Sequence, residues 1–290
     1  MIASCPAPGA GVHSWIMRAA WSCRFNRKTA TEAEDTILQG MTRPPNPRNE
    51  VLEAVGKVYD TTLEPRASGF TPRFKASKRW PEPNAAQIQA AADSGHGLVD
   101  LWEHSPVRYE DCEPHTADIL PRLFPGDPWI CAGTKSNFFA DRLSGFIAAA
   151  EDIEQIVPSP MTGKYGRRKK DGALSQHTLD NTGPRRFLVV EGDKVDGEPI
   201  PKDTQAAVLL HLAALAPLVL VVDSGGKSLH GWFRAAGHPE EQLAGFFRRA
   251  CTLGADKKLW ERQQFARMPG GLRDNGTRQQ ILFFNPAALP

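Results

Sequence analysis

Three short stretches in the second half of the chain carry side chains that could do chemistry together. The first is R-R-F-L-V-V-E-G-D, Arg185 to Asp193. Phe187 to Val190 read as a buried strand, and at its end Glu191 and Asp193 stand two apart, so an extended backbone projects both carboxylates from one face. Two like charges at a strand end repel unless something positive lies between them. A hard divalent cation, Mg²⁺ or Mn²⁺, is the natural occupant, with substrate phosphates completing its shell. On this reading, removing both carboxylates relieves repulsion and leaves the melting temperature unchanged or raised. The plainer alternative is a solvated strand end.

The second stretch is L-V-L-V-V-D-S-G-G-K-S-L-H-G-W-F, Leu218 to Phe233. A strand runs into a Gly225-Gly226 turn and a second strand follows, in which Ser228, His230 and Trp232 alternate to one side and Leu229 and Phe233 to the other. The G-K-S at Gly226 to Ser228 invites a P-loop reading, which fails. A Walker A motif needs a glycine five residues before Gly226, where Val221 stands, and the segment after Lys227 is strand-like rather than helical. What remains is a glycine turn with free amides, beside Lys227, Ser228 and His230, all suited to holding phosphate oxygens. A plain hairpin with a core histidine is the alternative.

The third is L-G-A-D, Leu253 to Asp256, followed by E-R-Q-Q-F-A-R-M-P-G-G-L-R, Glu261 to Arg273. Asp256 supplies a third carboxylate after a helix, and Arg262, Arg267 and Arg273 provide guanidinium forks around a P-G-G turn. Carboxylates and phosphate-binding cations on one domain fit two-metal phosphoryl or nucleotidyl transfer. Otherwise Asp256 caps a helix end and the arginines are surface charges. A separate basic run, K-Y-G-R-R-K-K, offers Lys164, Arg167, Arg168, Lys169 and Lys170, which with Arg273 could hold a nucleic-acid backbone through phosphates alone. A solvated loop explains the same run.

The elements that must position these groups follow from periodicity. Helices are expected at Val12 to Phe25, Thr31 to Gln39 and Arg48 to Tyr59, the first with Val12, Trp15, Ile16, Ala19, Ala20 and Cys23 on one face, the last behind Asn46 as a cap. Leu63 to Asn84, with Pro65, Pro72, Pro81 and Pro83 among basic residues, reads as a linker or extended arm. Beyond it the expected helices are Ala85 to His104, interrupted at Gly95 and Gly97, Thr116 to Phe124, Thr204 to Ala216 and Pro239 to Leu253. Strands are expected at Pro128 to Ala132, Ile153 to Pro158, Arg186 to Glu191, Leu218 to Ser224, Ser228 to Phe233, Gln264 to Met268 and Gln279 to Phe284. The organisation is therefore a helical accessory module over 1–62, a basic Pro-rich linker over 63–84, and an α+β domain over 85–290.

Composition agrees with a globular protein. The 290 residues hold 35 Lys+Arg against 33 Asp+Glu, with 41% hydrophobic and 23% charged, which excludes collagen-like, disordered and coiled-coil chains. Residues 1–160 carry 16 Lys+Arg against 20 Asp+Glu (−4), and residues 161–290 carry 19 against 13 (+6). A polyanion is therefore expected on the second half. Cys5, Cys23, Cys112, Cys131 and Cys251 are scattered and never form C-x-x-C, which argues against a zinc ribbon or a disulfide framework. The longest apolar stretch, Ala206 to Val222, contains His211 and Pro217 and is too short for a comfortable bilayer span. No membrane partner and a cytoplasmic location are expected, the first residues lacking the apolar core of a signal peptide.

Taken in order, Glu191-x-Asp193, then Ser228-x-His230 within S-G-G-K-S-L-H-G-W, then Asp256 after a helix and Arg267 before P-G-G resemble the three-motif signature of the archaeo-eukaryotic primase superfamily, particularly the primase-polymerase modules of phages and plasmids. I-V-P-S-P-M, Ile156 to Met161, is similar to a segment preceding the first motif there. The resemblance covers about 85–290. It implies an RRM-like catalytic sheet with a smaller α/β subdomain, and template-directed nucleotidyl transfer on single-stranded DNA from NTPs or dNTPs with Mg²⁺ or Mn²⁺. It further implies that Glu191, Asp193 and Asp256 are catalytic metal ligands, and that Ser228 and His230 contact the incoming nucleotide's phosphates with help from Lys227 and Arg267. Related modules are often fused to or encoded beside a helicase, so a separate replicative helicase is an implied partner. The first motif begins with Glu191 where the pattern usually has Asp, and no characteristic string surrounds Asp256. The other reading is a replication-initiation or accessory DNA-binding protein that keeps the primase-like fold without polymerising.

Overall fold

A computed structural model describes residues 5–6, 12–25, 28–47, 49–59, 79–109 and 115–290. The chain divides into two units, Met1–Ala76 and Ser77–Pro290. The part of the expected basic arm from 63 to 78 lies outside the described residues, as does Cys112.

In the first unit, α1 (Val12–Phe25), α2 (Ala30–Gly40) and α3 (Glu50–Tyr59) share one core. The periodic residues of α1, Val12, Trp15, Ile16, Ala19, Ala20 and Cys23, are buried against Ile37 of α2 and Val51, Val55 and Val58 of α3. A reciprocal cap starts α2: Glu32 N donates to Thr29 Oγ1, and Thr29 N donates to the Glu32 carboxylate.

The second unit opens with α4 (Ala85–Ala92), α5 (Leu98–Glu103) and α6 (Thr116–Leu123). Trp80, just before α4, packs edge-on against Phe247 and beside Trp260, so the chain already contributes to this unit's core there. Two four-stranded sheets follow. In sheet I, β1 (Trp129–Gly133) lies between β2 (Phe138–Arg142) and β3 (Gln155–Ile156), and β3 also pairs with β11 (Ala266–Arg267). Sheet II has the order β12 (Gln280–Phe284), β9 (Leu218–Asp223), β10 (Leu229–Arg234), β6 (Phe187–Glu191). All paired neighbours run antiparallel. Two helices, α8 (Lys202–Ala213) and α9 (Glu240–Thr252), connect β6 to β9 and β10 onward, giving a β-α-β-β-α-β succession and an α+β fold. Small hairpins, β4 (Gly166–Arg167) with β5 (Leu174–Ser175) and β7 (Lys194–Val195) with β8 (Glu198–Pro199), and a short helix α7 (Leu143–Ile147) complete it.

Alternation along the strands of sheet II decides where the polar ends point. Val189, Trp232, Val222 and Ile281 share a core with Ile130, Ile156 and Ala266 of sheet I. Val190, Val221 and Phe233 pack with Ala206, Leu209 and Leu212 of α8. Each such buried side chain contributes about 1.5–3 kcal/mol, so the two packed faces dictate the register. Gly231 looks toward α8, where an added Cβ would lie 2.4 Å from Leu209 Cδ2. Its neighbours His230 and Trp232 therefore face away from α8, and His230 stands opposite Glu191 in the β10–β6 register.

The strand β2 and helix α7 carry no sequence signal. K-S-N-F-F-A-D-R is short and unalternating, and becomes a strand by pairing with β1 from Trp129↔Arg142 to Gly133↔Phe138. The helix expected over Ala85 to His104 divides into α4 and α5 around Gly95, whose φ is +78°. Cys5, Cys23, Cys131 and Cys251 are free. Among the described residues, no helix is long and apolar enough to cross a membrane.

Candidate functional site

Glu191 ends β6 on the face of sheet II opposite α8. Gly192 next to it faces α8, where a Cβ would lie 2.7 Å from Gln205 Cγ, so the middle of E-G-D must be glycine if the backbone is to stay this close to the helix. Gln205, itself buried, donates to the Lys227 carbonyl (2.9 Å) and accepts from Leu229 N (2.8 Å). One helix side chain thereby holds the backbone on both sides of Ser228. Ser228 Oγ donates to Glu191 Oε1 at 2.6 Å, and His230 Nε2 lies 3.4 Å from the same oxygen.

His230 is 3% exposed, and neither ring nitrogen has a geometrically sound hydrogen bond. Buried imidazoles normally find partners; here Glu191 is the near one for Nε2, and Nδ1 has none. Burial pushes the Glu191 carboxyl up, but His230, Ser228 and Arg267 outweigh that and hold it down at about 2. At neutral pH Glu191 is therefore an ionised carboxylate, as a metal ligand must be.

The glycine turn differs from expectation. Its amides are not free: Gly225 N donates to Asp223 Oδ1 (2.9 Å), and Gly226 N and Ser228 N donate to Ser224 Oγ (3.3 and 3.2 Å). Asp223 is in turn gripped by Lys202 Nζ through both oxygens, at 2.8 and 2.7 Å. The turn is thus closed by its own side chains, leaving exposed Lys227 at its tip as the group free to meet a phosphate. No helix follows Lys227, in keeping with the failed P-loop reading.

A chain of contacts joins this turn to sheet I. Arg273 Nη1 donates to the Ser224 carbonyl (3.4 Å), and Arg273 Nε lies 3.9 Å from Glu154 Oε1. Arg267, on β11, pairs with the same buried carboxylate. Gln279 donates to the Glu154 carbonyl, while Gln279 Oε1, Glu154 Oε2 and Arg273 Nε are buried without hydrogen-bond partners. Glu154, Ser224, Gln205 and Gln279 escaped sequence reasoning. Ser224 alone had a signal, standing directly before the glycine pair, whereas Glu154 is one acid among several in A-E-D-I-E-Q-I.

Asp193 and Asp256 sit differently from Glu191. Asp256 N donates to the Glu191 carbonyl (2.9 Å) and Asp193 N to the Gly254 carbonyl (3.0 Å), bringing the three residues together along paired backbones. Asp193 and Asp256 line a cleft of about 460 Å³ with Glu82, Asp196, Lys194 and Lys257, and Glu191 is not part of its wall. Asp256 Oδ1 also caps the following turn by accepting from Lys258 N (3.0 Å). Among the described residues, no three His, Cys, Asp or Glu side chains converge as a metal-binding group. The donor chemistry, carboxylates gathered at one end of β6, nevertheless suits a hard divalent cation.

The basic run forms the β4–β5 hairpin, with Lys164, Arg167, Arg168, Lys169 and Lys170 all exposed. Arg168 pairs with Asp171 at 2.8 Å. Arg273, expected to act with this run, stands instead at the glycine turn.

These contacts also revise the expected effect of removing the carboxylates on stability. Glu191 meets His230 and Ser228, with the Arg267 charge acting from farther off, rather than a repelling Asp193. A carboxyl held below its ordinary 4.5 contributes stability above that value, which is lost as pH falls toward about 2. Glu191→Gln is therefore expected to destabilise the second unit by at most about 3 kcal/mol at pH 7, with the difference shrinking between pH 4.5 and 2. Urea unfolding of both proteins across that range measures it. A difference independent of pH would show that the Glu191 charge contributes nothing.

No family model matches the chain, and no curated protein matches it. One solved structure, the polymerase domain from Mycobacterium tuberculosis ligase D in complex with DNA, is similar over 67% of this chain and 83% of that one, at 14% identity and a TM-score of 0.31. A likeness of that degree carries no argument about fold or chemistry.

Proposed function

We infer that the second unit is a nucleotidyltransferase of the primase-polymerase kind, adding NTPs or dNTPs along a single-stranded DNA template. The observation that carries this reading is the buried His230, whose Nε2 lies 3.4 Å from Glu191 and whose Nδ1 has no hydrogen-bond partner, held beside Ser228 at the strand end where the Asp193 and Asp256 backbones also gather. The β-α-β-β-α-β succession supports an RRM-like reading of sheet II in element order, while its strand order, β12-β9-β10-β6, puts β6 at an edge where an RRM has its first strand beside the last; sheet I would be the smaller subdomain.

On this reading Glu191, Asp193 and Asp256 hold Mg²⁺ or Mn²⁺, which when bound would lower the pKa of the attacking hydroxyl and neutralise developing charge. The chain's own residues do the rest. His230 and Lys227 orient the incoming triphosphate by donating to its oxygens, Ser228 spends its one hydroxyl proton on Glu191 beside them, and Arg267 adds a guanidinium fork. Burial of the imidazole excludes water from that contact and makes each hydrogen bond count for more. Gln205 keeps Ser228 in place, and Gly192 lets the backbone between Glu191 and Asp193 pass close to α8.

A second reading, a DNA-binding accessory protein that does not polymerise, is favoured by one observation. The three carboxylates do not converge as a ligand group among the described residues, while the basic hairpin stands exposed.

Primer synthesis and extension on single-stranded DNA, with labelled ribo- and deoxynucleotides in parallel, separates the two. Incorporation that requires Mg²⁺ or Mn²⁺ and stops on chelation is expected. Salt-sensitive DNA binding with no incorporation under either metal selects the accessory protein.

A further inference from the structure

Beside the basic hairpin lies an aromatic group with no role in the site above. Phe138, on β2, is 37% exposed, and its ring meets His177 edge-on at 5.1 Å and Phe265 at 5.2 Å. His177 lies flat on Phe265, 4.2 Å between centroids at 23°. The His177 ring is fixed by Nε2 donating to the Gln263 carbonyl. Burial lowers the His177 pKa more than that hydrogen bond raises it, so at neutral pH the ring is uncharged stacking surface.

The same histidine lines a cleft of about 700 Å³ whose wall includes Arg167, Arg168, Lys169 and Lys170. Acidic groups there are Asp180, whose carboxylate accepts from Arg167 N, and Glu261, while Asp171 neutralises Arg168. Arg167, Lys169 and Lys170 are left to meet an anion. Tyr165, also exposed, enters the hairpin from the other side of Gly166. Phe265 stands two residues before Arg267, a spacing that places both on one face of sheet I and leads from the aromatic group toward the proposed site.

We propose that Phe138, His177 and Phe265 form a base-stacking platform for a single-stranded polynucleotide whose phosphates lie along the β4–β5 hairpin. Phe138 is the exposed ring, backed by half-buried His177 and Phe265, and an accessible ring beside cations without a carboxylate partner is the chemistry that holds unstacked bases. A duplex keeps its bases stacked on each other and offers this surface only phosphates. The proposal deepens the polymerase reading by naming how the strand is held, and rests on that reading only for its purpose.

Fluorescence anisotropy on the full chain in EDTA tests it, with oligo-dT of about 12 nucleotides, an abasic strand of equal length and a duplex. Wild type should bind oligo-dT about tenfold more tightly than the abasic strand. Phe138→Leu, which keeps the apolar volume, should lose that advantage and leave the abasic and duplex affinities unchanged. Replacing Lys169 and Lys170 by Gln should weaken all three and flatten the single-strand salt slope by about 1.4. Equal binding of oligo-dT and abasic strand by wild type overturns the platform even if Phe138→Leu folds poorly, as does full retention of the preference in a folded Phe138→Leu. Incorporation without a dT preference would retain the polymerase and remove the platform. A dT preference without incorporation would do the reverse.

Discussion

Glu191→Gln combined with Asp193→Asn is expected to lower metal-dependent nucleotide incorporation by on the order of 10³-fold, with oligo-dT affinity unchanged. The cause is electrostatic. Glu191 is ionised down to about pH 2 and lies at the meeting point of Ser228, His230 and the paired backbone of Asp256. An amide of the same shape keeps the packing and can accept from Ser228, but provides no charge for a cation. Asp193 is exposed and lines the neighbouring cleft, so its change to Asn should cost little stability. Measured in single turnover, retained incorporation would reject the site, whereas a loss matched by unfolding would say nothing of chemistry. Circular dichroism at the assay temperature separates those cases.

The second large effect is on stability. Glu154 is 4% exposed, and its carboxylate is paired with Arg267, with Arg273 at 3.9 Å as a weaker neighbour. Arg267→Met keeps the apolar stem but strands a buried charge, a change expected to cost about 3 kcal/mol or somewhat more. Adding Glu154→Gln removes the stranded charge, and the double variant should regain most of that loss in denaturant unfolding. Activity then discriminates between roles. If Arg267 receives a nucleotide phosphate, the restored double variant stays slow and its KM for nucleotide remains raised. If Arg267 serves Glu154 alone, incorporation recovers with stability.

The apolar patterns were legible in the sequence wherever burial is continuous. Phe187 to Val190, Leu218 to Val222 and the helical face from Val12 to Cys23 announce their elements because each buried side chain must find the same core. The alternation of Ser228, His230 and Trp232 was likewise readable, since the helix-facing side is occupied by Leu229, Gly231 and Phe233. β2 was invisible because its strand character comes from β1 and not from its own residues. The anchoring of Asp223 at the glycine turn was also unreadable, because Lys202 reaches it from another element.

By itself the sequence determined the set of chemical groups, their strand-end placement and the charge of the half that carries them, since these depend on residue type and local period. The tertiary structure decided which groups meet. It turned Glu191 toward His230 and Ser228, set Asp193 and Asp256 in a separate cleft, tied Arg267 to a buried Glu154, and lifted the basic run onto a hairpin that shares a cleft with His177. Those pairings join residues dozens of positions apart, and only the packing of two sheets and the burial of their shared core can select them.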